Sequence, residues 1–148
     1  MKRYLLLFLL AAGCALAEDP PDFPNPKFTP GATTELTSDT LCDPAFHTRS
    51  IRHVSMALRK AVFAEYGIPY EEHAGYELDH FIPLCLGGSN DETNLWPEHF
   101  VGAWGAHTKD HLAVRLHAMV CRGEISLRDA QEQIRSNWIE TYKRVFHE

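Results

Sequence analysis

Asp79 and His80 are neighbours in the chain, and a loop that contains Gly87 and Gly88 follows them before Asn94. A neutral imidazole can take a proton from water, because its ordinary pKa of about 6.5 lies near physiological pH. A carboxylate is a hard oxygen ligand that suits a divalent cation. Hydrolysis of a phosphodiester bond needs both functions, an activated water and a cation that offsets charge on the phosphate.

A strand must carry this pair, and adjacent residues of a regular strand point to opposite faces of the sheet. Asp79 and His80 are therefore expected where a strand ends and the backbone turns. The pattern predicts short strands at 76–78 and 95–96, separated by a turn-rich loop at 87–91.

The order of these residues resembles the motif of the HNH, or ββα-metal, endonuclease family, and in particular small exported bacterial HNH-like proteins. The matching positions follow the pattern D-H-x-x-P-L-x-x-G-G and then N-L, and they are Asp79, His80, Pro83, Leu84, Gly87, Gly88, Asn94 and Leu95. The resemblance covers most of residues 42–142. It implies that His80 is the general base and that Asn94 holds the loop and helps to orient that histidine.

The resemblance also implies a metal-binding helix after the second strand. His107 and His111 are four residues apart, which places them on one face of a helix. We expect Asp79 and His107 to hold one divalent cation, with His111 as a second ligand or a phosphate contact. Mg²⁺ is favoured, and Mn²⁺ and Zn²⁺ are the alternatives.

Basic side chains for the substrate phosphates are predicted at Arg49, Arg52 and Lys109, although the two arginines suit structural ion pairs equally well. The net charge of −6 opposes tight binding to nucleic acid and requires a local basic patch or a metal. The expected activity is cleavage of nucleic acid, DNA before RNA, by a monomer with little sequence specificity.

The N-terminal 17 residues read as a secretory signal with a basic start, an apolar run too short to anchor in a bilayer, and an A-x-A cleavage site. Lipid attachment at Cys14 is the alternative. Export to the periplasm or medium would leave 12 basic side chains against 20 acidic ones, a net charge of −8. A proline-rich linker is expected at 18–34, and a single folded domain at 35–148.

Within that domain, apolar periodicity predicts helices over 52–66, from Gly105 or Ala106 to Cys121, and from Ser126 onward. The predicted fold class is therefore α+β, with a ββα-metal (HNH) motif embedded in a mainly helical domain.

Three cysteines follow the signal, and an oxidising compartment favours one disulfide. Cys42 and Cys121 are the expected pair, because Cys85 lies in an apolar run typical of the core. A loop of this length would stabilise the fold by about 3–5 kcal/mol.

Two other classes of function compete with the nuclease. The acidic charge and the atypical start of the metal helix favour a binding or envelope protein that keeps the fold without the activity. A structural zinc domain is the third hypothesis, and it requires that folding depend on the metal.

Overall fold

The computed structural model describes residues 23–147, so the expected signal, Cys14 and the first part of the predicted linker lie outside the described residues. Within this range the chain forms an α+β fold. The elements are α1 (Ser38–Leu41), α2 (Met56–Glu65), β1 (Tyr76–His80), β2 (Leu95–His99), α3 (Ala106–Cys121) and α4 (Leu127–Phe146). Short 3₁₀ turns lie at Thr48–Ser50, Tyr70–Gly75, Leu84–Leu86 and Glu92–Asn94.

The two strands pair antiparallel, and their alternation sends side chains to two different environments. Leu78 and Leu95 lie on the face that packs against α2. Asp79, Trp96 and Glu98 lie on the opposite face, which meets α3. Both predicted strands are confirmed, and each is longer than the sequence pattern indicated.

Helices α3 and α4 close the main core over the sheet and its connecting loop. Each contributes one apolar stripe at helical spacing. The buried residues of these stripes are Leu112, Leu116 and Val120 on α3, and Ala130, Ile134 and Trp138 on α4.

Serine caps set two of the helix starts. The Oγ of Ser55 accepts a hydrogen bond from the backbone of Leu58, so α2 begins later than the predicted residue 52. Ser126 caps α4 in the same way, with the amide of Asp129 as donor. Helix α4 is kinked at Asn137, where the backbone leaves the helical region and the side chain accepts from the amide of Glu140.

The segment from Phe23 to Thr34 differs from the linker that its prolines predicted, because it packs on the domain. Thr29 is buried, and its hydroxyl donates to the carbonyl of Leu95 at 2.8 Å. The amide of Gly31 donates to Thr93 at 3.0 Å. The backbone turns within this segment, where the amides of Phe28 and Thr29 both donate to the carbonyl of Asn25 at 3.0 and 2.8 Å. These specific contacts hold the segment against the start of β2.

The predicted disulfide between Cys42 and Cys121 is confirmed and ties the end of α1 to the end of α3. Cys85 is a free, half-buried thiol. No helix in residues 23–147 has the length and apolarity needed to cross a membrane.

Candidate functional site

The loop between β1 and β2 is held by Asn94, which is fully buried. Its Oδ1 accepts from the amide of Ile82 at 2.8 Å, and its Nδ2 donates to the carbonyls of Ile82 and Ser89 at 3.0 and 2.9 Å. Gly88 packs against the same Ile82 carbonyl group. A Cβ added to Gly88 would stand 1.7 Å from that carbonyl oxygen. Only glycine fits there, which explains why the loop needs that residue.

His80 is oriented by Asn90 rather than by Asn94. The Nδ2 of Asn90 donates to the carbonyl of Ile51 at 2.7 Å, and its Oδ1 accepts from the amide of His53 at 3.2 Å. This orientation turns Oδ1 toward His80 Nε2, which lies 3.1 Å away. Nε2 is then the protonated nitrogen, and Nδ1 carries the lone pair of a potential base.

The imidazole of His80 is poised in its neutral form. Burial lowers the pKa of His80, and the positive charges of Arg52 and Lys109 act in the same direction. The hydrogen bond to Asn90 and the charge of Asp79 oppose this shift without overcoming it. Nδ1 of His80 is buried and has no hydrogen-bond partner in the described structure, so it is the ring nitrogen left free to accept a proton.

Asp79 is paired with Lys109, whose side chain is buried beneath the strand end. The ammonium donates to Asp79 Oδ2 and to the backbone carbonyl of His80, the latter at 2.9 Å, and it lies 3.6 Å from Glu98 Oε2. Burial alone would raise the pKa of Asp79, but Lys109 and Glu98 outweigh it and hold that pKa below its ordinary value. Asp79 is therefore an anion on which Lys109 is anchored.

Glu98 is the unusual acid of this group, because it is 1% exposed. As a carboxylate it would have no hydrogen-bond donor on either oxygen. Burial raises the pKa of Glu98 to about 9, and the negative charge of Asp79 contributes to the shift. Glu98 is thus a neutral acid at pH 7, and its hydroxyl can donate to Asp79.

The predicted metal ligands on α3 are not brought to Asp79. An α-helix turns by about 100° per residue, so His107 and His111 each lie roughly 160° around the axis from Lys109. Both histidines are exposed, whereas Lys109 shares the buried stripe of the helix. Lys109 itself differs from the predicted phosphate contact, because its ammonium is engaged with Asp79.

A cavity of about 290 Å³ opens at the end of β1, and we call it the strand-end cavity. Its charged and imidazole side chains are Arg52, Asp79, His80, Lys109 and Asp110. In the described chain, Arg52 has no carboxylate within 4.0 Å, which favours its predicted phosphate contact over a structural ion pair. The pKa of Asp110 is raised by burial and then by the charge of Asp79.

Cys85 also lines this cavity but is a poor nucleophile. Burial raises the pKa of its thiol to about 11, so the reactive thiolate is scarce at neutral pH.

The donors that a hard dication prefers are nevertheless present in the strand-end cavity. Asp79 and Asp110 both line it, and carboxylates together with substrate oxygens form the usual surroundings of Mg²⁺. Repulsion from Asp79 contributes to the raised pKa of Asp110, and a bound dication would relieve it. Asp79 and Asp110 are therefore the two carboxylates of this cavity that could hold such an ion instead of the predicted His107, and Lys109 already pairs with Asp79.

One group of three potential ligands within 4.8 Å of one another occurs in residues 23–147, namely Cys42, His117 and Cys121. Two of the three sulfur and nitrogen donors belong to the disulfide, so the oxidised protein has no thiolates there for zinc. This arrangement gives no support to a structural zinc domain.

Sequence reasoning missed Asn90, Glu98 and Asp110. Asn90 read as a turn residue, and only its partners across the fold reveal its contact with His80. A signal for Lys109 was present, because it stands three and seven residues before the core residues Leu112 and Leu116.

No protein-family model matches this chain, and neither the curated proteins nor the solved structures include a significant match.

Proposed function

We propose that the protein is an exported, metal-dependent endonuclease of the HNH type that hydrolyses phosphodiester bonds in nucleic acid. One observation carries the proposal: Asn90 presents His80 as a neutral base in a cavity that also holds two carboxylates and an unpaired arginine. Nδ1 of His80 is buried without a hydrogen-bond partner in the described structure, which leaves it as the nitrogen that would take the proton in this proposal.

In this proposal His80 takes the proton of the attacking water, and Arg52 binds the phosphate that is cleaved. Asp79 and Asp110 would hold a divalent cation, Mg²⁺ before Mn²⁺ or Zn²⁺, which supplies charge stabilisation at the phosphate and the leaving oxygen when bound. Lys109 holds Asp79 in its ionised form and fixes its direction. Asn94 acts on His80 only indirectly, because it holds the loop that carries Asn90.

We favour DNA over RNA as the substrate. The proposed enzyme is a monomer and cleaves with little sequence preference. The negative net charge supports a weak, salt-sensitive interaction that depends on local cations.

The test is cleavage of plasmid DNA by the purified full chain with Mg²⁺, Mn²⁺ or Zn²⁺. His80→Ala should abolish cleavage, and His73→Ala is the matched control because that histidine is exposed and lies away from the strand-end cavity. Activity that survives His80→Ala, or equal loss in both variants, would refute the assignment.

A second experiment separates the two sets of metal ligands. Isothermal titration with Mn²⁺ should show weaker binding in Asp79→Asn and Asp110→Asn, and unchanged binding in His107→Ala and His111→Ala. Weaker binding in Asp79→Asn and His107→Ala, with unchanged binding in Asp110→Asn, would restore the ligands expected from the resemblance.

The buried contact between Lys109 and Asp79 also favours the second candidate, a protein with this fold that binds without cleaving. A lysine already neutralises one of the carboxylates that a metal would use. If no metal supports cleavage by the wild-type protein, this candidate replaces the enzyme.

A further inference from the structure

A second cavity, of about 570 Å³, adjoins the strand-end cavity, and we call it the flanking cavity. Thr48 and Cys85 line both, so the two cavities share a wall. The flanking cavity continues from there between the segment before α2 and helix α3, past Phe46, Arg49 and His117.

The lining of the flanking cavity differs in charge from the rest of the protein. The net charge of the chain is −6, yet none of the described residues that line this cavity carries a carboxylate. Arg49 is exposed, and in the described chain no carboxylate lies within 4.0 Å of it. An unpaired guanidinium in a concave, acid-free surface is suited to an anion such as phosphate.

The cavity also offers an aromatic surface. Phe46 is half-buried, so part of its ring remains accessible beside Arg49. An aromatic ring next to a cation is the combination that binds single-stranded nucleic acid, because bases stack on the ring while the cation meets the backbone.

The walls of the cavity are held in place. His117 Nε2 lies 3.0 Å from the carbonyl oxygen of Leu41, so α3 is hydrogen-bonded to the wall formed by α1. The disulfide between Cys42 and Cys121 joins the same two elements covalently. A binding site with fixed walls loses little conformational entropy when a ligand enters.

We infer that the flanking cavity binds the nucleotide next to the scissile phosphate in a single strand, with its base on Phe46 and its phosphate on Arg49. This inference rests on the proposed function, since the shared wall places the nucleotide beside His80. The flanking cavity would then be a substrate-binding site separate from the residues that carry out the reaction. Stacking does not depend on base identity, which agrees with cleavage of little sequence specificity.

The test measures binding of a fluorescein-labelled 12-nucleotide single-stranded DNA by anisotropy, with the His80→Ala protein so that no cleavage occurs. Adding Phe46→Ala or Arg49→Ala should each raise Kd by roughly 5- to 100-fold. Arg128→Ala is the matched control, an exposed arginine on α4 that lines neither cavity, and should change Kd by less than about twofold.

Salt dependence distinguishes a phosphate contact from a structural effect. Loss of one phosphate contact reduces the slope of log K against log salt by about 0.7 for a single strand, and Arg49→Ala should show this reduction. Arg49→Lys should restore the slope because it keeps the charge. A melting temperature equal to that of His80→Ala shows that the variants are folded.

Unchanged affinity and unchanged salt slope in both cavity variants would overturn the inference, and cleavage by the wild-type protein would then leave the proposed function standing. If the wild type cleaves no nucleic acid and the His80→Ala protein binds none, both proposals fail together. Preference for duplex over single strand, with no effect of Phe46→Ala, also overturns the stacking contact.

Discussion

Glu98 provides a sharp test of the buried charge arrangement, because its neutral form reverses the usual effect of removing an acid. The proposed perturbation is Glu98→Gln. The pKa of Glu98 is raised from 4.5 to about 9 by burial. Between these two pH values the folded protein holds a proton that the unfolded chain releases. Each rise of one pH unit in this range therefore lowers the free energy of unfolding by about 1.4 kcal/mol.

The sign follows from this difference in bound protons. The stability that the neutral acid provides is fully present below pH 4.5 and is lost as the pH rises toward 9. At pH 7 the accumulated loss is about 3 kcal/mol. A glutamine has nearly the same shape, is neutral at every pH, and can donate through its amide to Asp79 as the hydroxyl of the protonated acid can.

Glu98→Gln should therefore raise the free energy of unfolding at pH 7 by up to about 3 kcal/mol and change it little at pH 4.5. The assay is urea unfolding of both proteins in chelator at several pH values from 4.5 to 8.5. Glu92→Gln is the control, since Glu92 is exposed and should show no such trend.

The opposite description of Glu98 leads to the opposite result. If Glu98 were a carboxylate paired with Lys109, 3.6 Å away, the glutamine would remove one partner of a buried ion pair. The variant would then be less stable than the wild type at pH 7. A destabilised variant, or a difference that does not grow with pH, would refute the neutral acid.

Three other predictions concern the loop, the disulfide and the base. Asn94→Ala should lower the free energy of unfolding by roughly 3–5 kcal/mol in urea, because three buried hydrogen bonds are lost; a loss below about 1 kcal/mol would contradict their role. Replacing both Cys42 and Cys121 with serine should lower the free energy of unfolding by about 4–5 kcal/mol, since their disulfide joins residues 79 positions apart. Reducing the disulfide of the wild type should lower the free energy of unfolding by the same amount. The lowered pKa of His80 places the acid limb of kcat/KM below about pH 6.5, and a limb above pH 7 would count against His80 as the base.

The sequence alone supported the local features of the fold. The sequence predicted a loop through Gly88 that Asn94 holds, and the structure shows Asn94 hydrogen-bonded across that loop beside Gly88. Cys42 and Cys121 were identifiable because the third cysteine lies in an apolar run. These features depend on chain-local periodicity, turn chemistry and composition, all of which can be read from residue order.

The tertiary structure decided which groups meet at the strand end. Residue spacing placed His107 and His111 on one helical face, but the rotation of α3 depends on burying its apolar stripe against the core. That rotation brings Lys109 to Asp79 and turns both histidines outward. A helix can bury only one face, so the packing of the core, and not the motif, determined the partner of Asp79.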